Sequence, residues 1–463
     1  SGAERALAAS IGTLCIAASI LATGALGDRL GRKKIMLAGL LVALAGGLVT
    51  AAAPNPLVFS FGRALSGVGF AASFGLSFAL LRTIAPEPEA LAKTVARWLA
   101  LQTLGIVLFA LVGGYLASLS WRAAYLVGPA VSLVALLLCL RSVPEAREET
   151  SGRFDGIGLV LVALGLVGSL YGVSNAASAG WGSVRVLVPL AGGIALLVAF
   201  CVWEWRSAQP AFPIRAFVDP QLLVGGIASI GFNIADATMA LQLSLLWQYV
   251  YRFKPFDVSL GQLPLIVSCI AAAGLAGGLV ARGVSMRVMV PGGLFAMAAA
   301  LSTMAFAGAT TPYYYFVVPL MVAGAGLMFV QTPIANAFVA KPPPTLVGAM
   351  GSSRTAFGQL GFALGLAISS SLIYGLFSPL LQDRLVAAGA SPAERAHAMG
   401  ILQSFVQTGH PTGFDPRMVQ DVIANGTVAY MQSYRITMLV MASVLATIAL
   451  VSLWLLSRRP AAR

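Results

Sequence analysis

Runs of about 20 apolar residues, the length an α-helix needs to cross the hydrocarbon core of a bilayer, recur along the whole chain. Of the 463 residues, 58% are hydrophobic and only 10% are charged. An ordinary soluble domain carries about 25% charged residues. Lipid can solvate an apolar outer face that water cannot, and isolated spanning segments are then helical. The sequence therefore predicts an all-α fold, a polytopic bundle of transmembrane helices.

The apolar runs, and the polar breakers between them, divide the chain into thirteen predicted spans. We expect the longer spans to tilt or to continue into a polar extension. The predicted bounds are 6–26, 35–53, 57–81, 98–118, 123–140, 156–177, 184–203, 221–250, 260–281, 288–308, 313–339, 347–378 and 435–457.

The connectors alternate between a strongly basic and a weakly basic set. The first set includes 29–34 and the tail 458–463 and holds nineteen Lys and Arg, whereas the other set holds nine. Basic connectors stay in the cytoplasm, so we expect the C-terminal tail to be cytoplasmic, in a bacterial inner membrane. The net charge of +13 reflects this topology, and nucleic acid is not an expected partner.

This orientation leaves Ser1 on the outer side of the membrane after thirteen spans. The chain also begins with Ser-Gly-Ala-Glu instead of Met. We therefore expect one further helix upstream, which would bring the total to fourteen. A cleaved signal peptide is the alternative explanation.

The chain lacks the residue patterns of an enzyme, a metal site or an ATP-driven pump. Its cysteines lie in separate apolar runs, which argues against disulfides and zinc. No phosphate-binding Gly-x-x-x-x-Gly-Lys-Ser/Thr motif is present. We expect no cofactor, no metal and no catalytic residue, and a proton gradient as the source of energy. The cysteines are Cys15, Cys139, Cys201 and Cys269.

The most specific motif is a glycine-rich basic turn at the end of the first predicted span. Gly31 permits the backbone geometry of a very short connector. Asp28 can accept hydrogen bonds from a helix N-terminus or pair with an arginine. A plain basic turn would not require Gly, Asp and Gly at this spacing. The residues of this turn are Gly24, Asp28, Arg29, Gly31, Arg32, Lys33 and Lys34.

This run closely resembles the signature of the major facilitator superfamily between its second and third helices. The run from Arg63 to Gly69 resembles the arginine motif of the family's fourth helix. The pair Gly113-Gly114 resembles the end of the fifth-helix antiporter motif. The first predicted span then matches the family's second helix, in agreement with a further helix upstream.

The second part of the chain extends the resemblance to the fourteen-helix drug:proton antiporters. Asp155 and Gly156 resemble the start of their two-helix insert, and the run from Pro342 to Arg354 resembles the entry to their thirteenth helix. The resemblance implies a first half at 1–142 that lacks its first helix, an insert at 143–208 and a second half at 209–463. It further implies alternating access around a central cavity.

The same resemblance assigns roles to particular residues. The turn at 24–34 would act as a cytoplasmic gate, and Gly113, Gly114 and Arg354 would serve the conformational change. The family's fifth-helix Pro, Gly and Pro are replaced here by Ile106, Phe109 and Ala110. This departure weakens the expectation of antiport without removing the family resemblance.

Asp236 and Arg63 are ionisable residues inside predicted spans, where a charge is costly and usually functional. Asp236 is the only carboxylate near the middle of a span, and Asn233 shares its helix face at i, i+3. We interpret Asp236 as a proton site or a counter-charge for a cationic substrate; a hydrogen-bonded structural acid is the alternative. For Arg63 the family resemblance implies a role in proton relay; a structural pair, or an arginine that extends towards the membrane surface, is the alternative.

Other polar residues within the spans are candidates for the cavity wall. Gln242 follows Asp236 along the same span, and Gln331 and Asn336 lie in a later one. Hydrogen bonds between packed helices are an equally good explanation for such residues.

The predicted connector at 379–434 is far longer than the others, and its stretch from 392 to 407 has helical spacing of apolar residues. It would lie outside the cell. It is either a lid or spacer, or a docking surface for an external adaptor protein.

Three functions fit these observations. The first is proton-coupled efflux of amphipathic drugs or toxic small molecules, with the small-molecule substrate and the lipid bilayer as partners. The second is a facilitator or importer of a specific metabolite, which the altered fifth-helix motif favours. The third is a membrane scaffold that does not transport.

Overall fold

The computed structural model describes residues 2–85, 87–145, 155–207, 212–342, 347–408 and 415–457. Within these ranges the regular structure is helical throughout, and they contain no β-strand. The predicted all-α fold is confirmed.

The described part of the chain up to residue 206 forms the first group of helices. Gly31 alone separates α1 from α2, and Leu126 alone separates α5 from α6. The helices are α1 (Gly2–Leu30), α2 (Arg32–Ala51), α3 (Pro56–Ile84), α4 (Pro88–Leu119), α5 (Trp121–Tyr125), α6 (Val127–Ser142), α7 (Gly156–Ala179) and α8 (Val184–Arg206).

A short 3-10 helix, Ile214–Val218, leads into the second group. Its first helix continues into a π-helical turn at Leu246–Val250. The helices are α9 (Pro220–Leu245), α10 (Pro255–Gly261), α11 (Leu263–Ala281), α12 (Met286–Met304), α13 (Tyr314–Ala340), α14 (Val347–Ala387), α15 (Pro392–Thr408) and α16 (Pro416–Ser457).

Eleven helical stretches of the described residues are long and apolar enough to cross a membrane. Two shorter apolar stretches, Ile11–Gly27 and Leu104–Leu119, lie within α1 and α4. Each of the thirteen predicted spans overlaps one of these stretches. The polytopic transmembrane bundle is confirmed, and the large apolar side chains that stay exposed on α6 and α8 suit a surface in contact with lipid.

The helices define two ends of the bundle. At the end we call the turn end, α1 meets α2 at Gly31, and α14 begins beside Gly24. Helix α9 also begins there, because its cap Asp219 binds Lys341 just after α13. At the opposite, far end, the last turns of α14 pack against the first turns of α16. Helices α9 and α16 are therefore antiparallel.

Glycines allow α2 and α3 to approach each other closely. A methyl group at Gly46 would collide with the backbone nitrogen of Ser66, and one at Gly69 would collide with the backbone nitrogen of Ala43. Inside a membrane the hydrophobic effect does not drive helices together, because lipid is as apolar as the side chains. Helices associate there through close van der Waals packing, which small residues permit.

The insert helices α7 and α8 form a hairpin whose open ends are tied together. The carboxylate of Asp155 caps α7 by accepting a 2.9 Å hydrogen bond from the backbone N–H of Gly158. Trp203, near the end of α8, donates its indole N–H to the same carboxylate at 2.9 Å. Helix α7 also packs against α1 and α14, so the hairpin lies against both of the predicted halves.

The segment 379–434 is largely helical, which corrects its interpretation as a loop. Helix α14 continues to Ala387 and α16 begins at Pro416, so both helices extend past their predicted spans. With α15 they bury a separate small apolar core, and we call this unit the far-end cap. The buried side chains of this core are Leu381, Leu385, Ala398, Ile401, Val422 and Ala429.

Candidate functional site

The neighbours of α9 identify which way each of its sides faces. A methyl group at Gly225 would lie 2.5 Å from Cε2 of Phe338, so this side of α9 faces α13. A methyl group at Gly231 would lie 3.0 Å from Cδ1 of Ile448, so that side faces α16. Helix α9 has regular geometry up to Leu245, so these two contacts orient its other residues.

Asn233 lies on the side of α9 that packs against α14. A methyl group at Gly358 of α14 would lie 3.2 Å from the Asn233 amide nitrogen. Gly361 allows equally close approach to the backbone of Ile230. The amide of Asn233 donates to the carbonyl of Ser229 at 2.8 Å, while the side chain remains half-buried.

Asp236 follows Gly225 by eleven residues, or about three turns, so it faces the side of α9 that is turned towards α13. The side chain is half-buried, and it lies within electrostatic range of Cys269 on α11. The carboxylate therefore faces α13, with Cys269 of α11 in its wider surroundings. Asn233 is on the neighbouring side, so the predicted association of these two residues agrees with the structure.

Gln331 lies on the side of α13 that faces α9. It precedes Phe338 by seven residues, about two turns, and its side chain is half-buried. Since α9 and α13 are antiparallel, Gln331 lies roughly one turn from the level of Asp236. Asn336 is exposed and points away from this side, so it does not join the group.

Gln242 does not belong to the same group, which corrects its assignment as a cavity residue. It follows Gly231 by eleven residues and therefore faces α16, on the side of α9 away from Asn233. Its side chain is completely buried. Gln242 lies nine residues, or about two and a half turns, after Asn233, so the two side chains point to opposite sides of α9.

Arg63 lies in the first half, between α1, α3 and α5. A methyl group at Gly12 would lie 3.1 Å from Nη2 of Arg63, and the guanidinium carbon lies 5.8 Å from the ring centre of Tyr125. The Nε atom is buried without a hydrogen-bond partner among the described residues. No ion pair links Arg63 to Asp236 within the described chain.

The glycine-rich turn is held against the end of α6. Gly31 has φ +110°, a conformation in which only glycine is free of strain, and the carboxylate of Glu145 lies directly against it. The backbone N–H of Lys33 donates to Glu145 at 3.3 Å, and Nζ of Lys33 donates to the carbonyl of Leu140 at 3.1 Å.

The other residues of the turn have different environments. Arg32 is buried, Arg29 is half-buried and Lys34 is exposed. The side chain of Asp28 lies outside the described residues. The predicted role of Gly31 in a very short connector is thus visible in the structure, whereas gating by the turn stays a prediction.

The predicted first and second halves meet at the turn end through small residues. A methyl group at Gly24 of α1 would lie 2.5 Å from Oγ of Ser352 on α14, and one at Gly75 of α3 would lie 3.6 Å from the same atom. Arg354 is buried two residues further along α14. We call the contact of Gly24, Gly75 and Ser352 the turn-end contact.

A second contact between the halves lies near the far end. A methyl group at Gly114 of α4 would collide with Oγ of Ser259 on α10, and the rings of Tyr115 and Phe256 are 6.1 Å apart. We call this group the far-end contact. Gly113, in contrast, has open space around it, so only one glycine of the predicted pair makes a contact here.

Sequence reasoning missed several residues that hold this arrangement. Ser352 and Ser259 are short polar residues in apolar helices, and their sequence context does not distinguish them from other serines. Lys341 and Asp219 form a 2.6 Å ion pair at the turn end. Partial burial opposes ionisation of Asp219, but Lys341 and the backbone N–H of Gln221 together lower the pKa of its carboxyl. The N-cap position of Asp219 before Pro220 could have identified this residue.

The described residues thus form a bundle of apolar helices that contact each other across small residues at both ends, with the half-buried carboxylate of Asp236 in mid-span. The sequence model of the Major Facilitator Superfamily matches residues 1–366. The chain belongs to this superfamily. The predictions of a secondary transporter, integral to the membrane and not an enzyme, are confirmed.

The sequence relatives include proteins of drug resistance and antibiotic export. The chain is 27% identical to the multidrug resistance protein Stp of Mycobacterium tuberculosis, over 94% of this chain and 82% of that protein. It is 29% identical to the puromycin resistance protein pur8 of Streptomyces alboniger, over 82% and 76%. It is 28% identical to the cephamycin export protein CmcT of Amycolatopsis lactamdurans, over 77% and 74%.

Solved structures confirm the fold at low sequence identity. An auto-inhibited peptide transporter of the POT family superposes with a TM-score of 0.64 and 15% identity, over 99% of this chain and 89% of that one. The human organic anion transporter MFSD10 (TETRAN) superposes with a TM-score of 0.57 and 16% identity, over 95% and 83%.

Proposed function

We propose that this protein exports amphipathic drugs or other toxic small molecules by alternating access, driven by the proton gradient. The observation that carries the proposal is Asp236, a carboxylate at mid-span on the side of α9 that faces α13, with a half-buried side chain. The resistance and export proteins among the relatives support the same direction of transport.

A single carboxylate in this position suits coupled exchange. An ionised carboxylate in a membrane interior is costly unless a proton or another cation neutralises it. A proton and a cationic substrate therefore compete for Asp236, and arrival of one favours release of the other. Asn233 and Gln331 supply neutral hydrogen-bonding groups nearby, which can orient a substrate without adding charge.

The contacts at the two ends supply the alternation. The turn-end contact joins α1 and α3 to α14, and the far-end contact joins α4 to α10. Rocking of a first half (1–142) against a second half (209–463), with the insert (143–208) alongside, would break one contact while the other persists. Gly24, Gly114 and the buried Arg354 are the residues through which we propose that this motion is controlled.

The membrane is proposed to be a bacterial inner membrane, with the C-terminal tail in the cytoplasm. The basic connectors at 29–34 and 282–287 support this orientation. The far-end cap would then lie outside the cell. Docking of an adaptor protein on the cap stays a prediction.

A second candidate function is a facilitator or importer of a specific metabolite. Gly105 and Gly113 of α4 both have open space where a methyl group would point, so neither glycine is required by a helix contact in this structure. Helix α4 carries the residues that resemble the family's fifth-helix antiporter motif, but its glycines at 105 and 113 are not closely packed. This helix alone therefore does not favour efflux over facilitated transport.

Transport by the full chain in proteoliposomes tests the proposal. With inside-out vesicles and an acidic interior, we expect uptake of ethidium and of puromycin that collapses when the pH gradient is dissipated. Asp236→Asn should abolish gradient-driven uptake. Asp421→Asn, an exposed carboxylate of the far-end cap, should leave it unchanged.

The other outcomes decide between the candidates. Gradient-independent movement of the probes by the wild-type chain would favour a facilitator and overturn coupled export. Normal pH-dependent transport by Asp236→Asn would remove Asp236 from the mechanism. Failure to move either probe, by a chain that folds and inserts, would count against drug export.

A further inference from the structure

Three polar side chains between α9 and α16 are completely buried: Gln242, Tyr434 and Thr437. Both amide atoms of Gln242, the hydroxyl of Tyr434 and Oγ1 of Thr437 have no hydrogen-bond partner among the described residues. Buried polar groups in native proteins are almost always hydrogen-bonded, to protein or to ordered water. These side chains therefore indicate a site that takes a hydrogen-bonding ligand.

The register of the two helices brings the three residues to one place. Gly231 of α9 contacts Ile448 of α16. Gln242 lies eleven residues after Gly231, and Thr437 lies eleven residues before Ile448. In antiparallel helices, equal steps of three turns lead to the same level and the same facing sides. Gln242 thus lies opposite Thr437, and Tyr434 is one turn nearer the far end.

Several other hydroxyl groups near these three side chains do have hydrogen-bond partners within the protein. Tyr251, Tyr313 and Tyr315, at the same end of the second half, donate to backbone carbonyls at 2.8, 3.0 and 2.6 Å. Thr238 and Ser433, on α9 and α16 themselves, donate to carbonyls of their own helices at 2.8 Å. Other buried polar atoms of the described residues, such as Oγ of Ser132 and Nε1 of Trp247, also lack a protein partner; what distinguishes the three side chains of the seam is that they lie together.

We propose that Gln242, Tyr434 and Thr437 form a site for internal water between α9 and α16. Their zero exposure excludes a large or freely exchanging ligand. Water fits because it donates and accepts hydrogen bonds and needs two to four polar partners. The amide oxygen of Gln242 accepts from water, its amide nitrogen donates to water, and the two hydroxyls can do either.

A hydrated seam has a mechanical consequence for α9. The opposite side of this helix carries Asn233 and Asp236, so α9 has a site on one side and bound water on the other. Water-mediated hydrogen bonds are nearly as favourable as direct ones, and they re-form after a small displacement. The seam therefore holds α9 against α16 without fixing a single register.

Hydroxyl-radical labelling by X-ray radiolysis of the purified full chain tests the site, since radicals formed from bound water modify adjacent side chains. We expect oxidation of Tyr434 despite its burial, with slow exchange of label after mixing with ¹⁸O water. Phe338, equally buried in the apolar core, is the matched control and should stay at background. Labelling of Tyr434 at the level of Phe338 would overturn the proposal.

Thermal unfolding of variants provides an independent measurement. Gln242→Leu and Thr437→Val should each lower the Tm, because each leaves the other groups without a bridge, and the double variant should lose less than the sum of the two shifts. Additive losses would mean that the residues share no site. A rise in Tm for each single variant would mean that the seam is dry. If Gln242→Leu does not fold, Tyr434→Phe takes its place, and the single and double variants with Thr437→Val are compared in the same way.

Discussion

The turn between α1 and α2 and the turn between α11 and α12 each contain a glycine with positive φ, but the two glycines have different surroundings. Gly31 joins α1 to α2 with φ +110°, and Gly283 lies between α11 and α12 with φ +79°. Gly31 is packed against Glu145, whereas a methyl group at Gly283 would have no neighbour within 4 Å. A positive φ alone thus does not show that a turn is anchored; its tertiary partner does.

The helices that follow or precede each turn show the same difference. Gly46 of α2 lies against the backbone of α3, whereas Gly274, Gly277 and Gly278 of α11 have open space around them. The second half instead ties its turn end together with the ion pair of Lys341 and Asp219. The predicted second half also has close backbone contacts, such as Gly324 of α13 against Leu265 of α11, but none at Gly274, Gly277 or Gly278.

The largest expected effect is at the α2–α3 contact. Gly46→Ala should destabilise the protein by about 3 kcal/mol, because the added methyl group overlaps the backbone of Ser66 and the helices must separate. Gly278→Ala is the matched variant in α11. It should stabilise by about 0.5–1 kcal/mol, because alanine is the better helix former and nothing obstructs it. Thermal unfolding in detergent compares the two, and equal losses would contradict the difference between the halves.

The turns themselves give the next effect. Gly31→Ala should cost about 1–3 kcal/mol through backbone strain, and more through contact with Glu145. Gly283→Ala should cost about 1 kcal/mol, from backbone strain alone. Adding Glu145→Ala to Gly31→Ala should recover the part that comes from the contact. No recovery in the double variant would show that strain explains the whole loss.

Lys33 should show a smaller effect than the glycines. Lys33→Met removes the hydrogen bond from Nζ to the carbonyl of Leu140, so we expect a loss of about 1 kcal/mol. Lys34→Met, an exposed neighbour, serves as the control and should change the Tm little. Equal Tm values for the two variants would mean that Lys33 does not anchor the turn to α6.

The ion pair of the second half should have the smallest effect. Its side chains are 32% and 37% exposed, so Lys341→Met should cost about 0.2–1 kcal/mol, and less at high salt. The pKa of Asp219 is lowered from its usual 3.8, so the pair stabilises the folded state above that pH. The stabilisation is lost as the pH falls below this value. A difference in Tm between wild type and variant that is unchanged at low pH and high salt would contradict the assignment.

The sequence predicted the positions of the spans well because bilayer thickness constrains them directly. It placed the ends of α14 and α16 wrongly, since their extensions are stabilised by the core of the far-end cap. Three consecutive helices, joined by two connectors, form that core, and the sequence of any one helix does not specify its partners. Amphipathic spacing in α15 was the single local signal.

The candidate site was predicted in part. Asn233 and Asp236 lie on neighbouring sides of α9 because they are three residues apart in one helix, and their joint role in a site stays a prediction. The orientation of Gln242 and Asn336 depends on which helices pack around α9 and α13, and a single sequence does not specify those neighbours. Ser352 and Ser259 were missed because their importance comes from Gly24 and Gly114 on distant segments.

Helix α14 runs from the turn-end contact to the far-end cap, with Pro379 inside it close to the cap. Its 41 residues make a rod of about 60 Å, with Ser352 near one tip and Ala387 at the other. A rod of this length converts a few degrees of tilt at Ser352 into a displacement of several ångströms at the cap. A spectroscopic label on the exposed Asp383 would therefore report the opening and closing of a contact buried at the other end of the molecule.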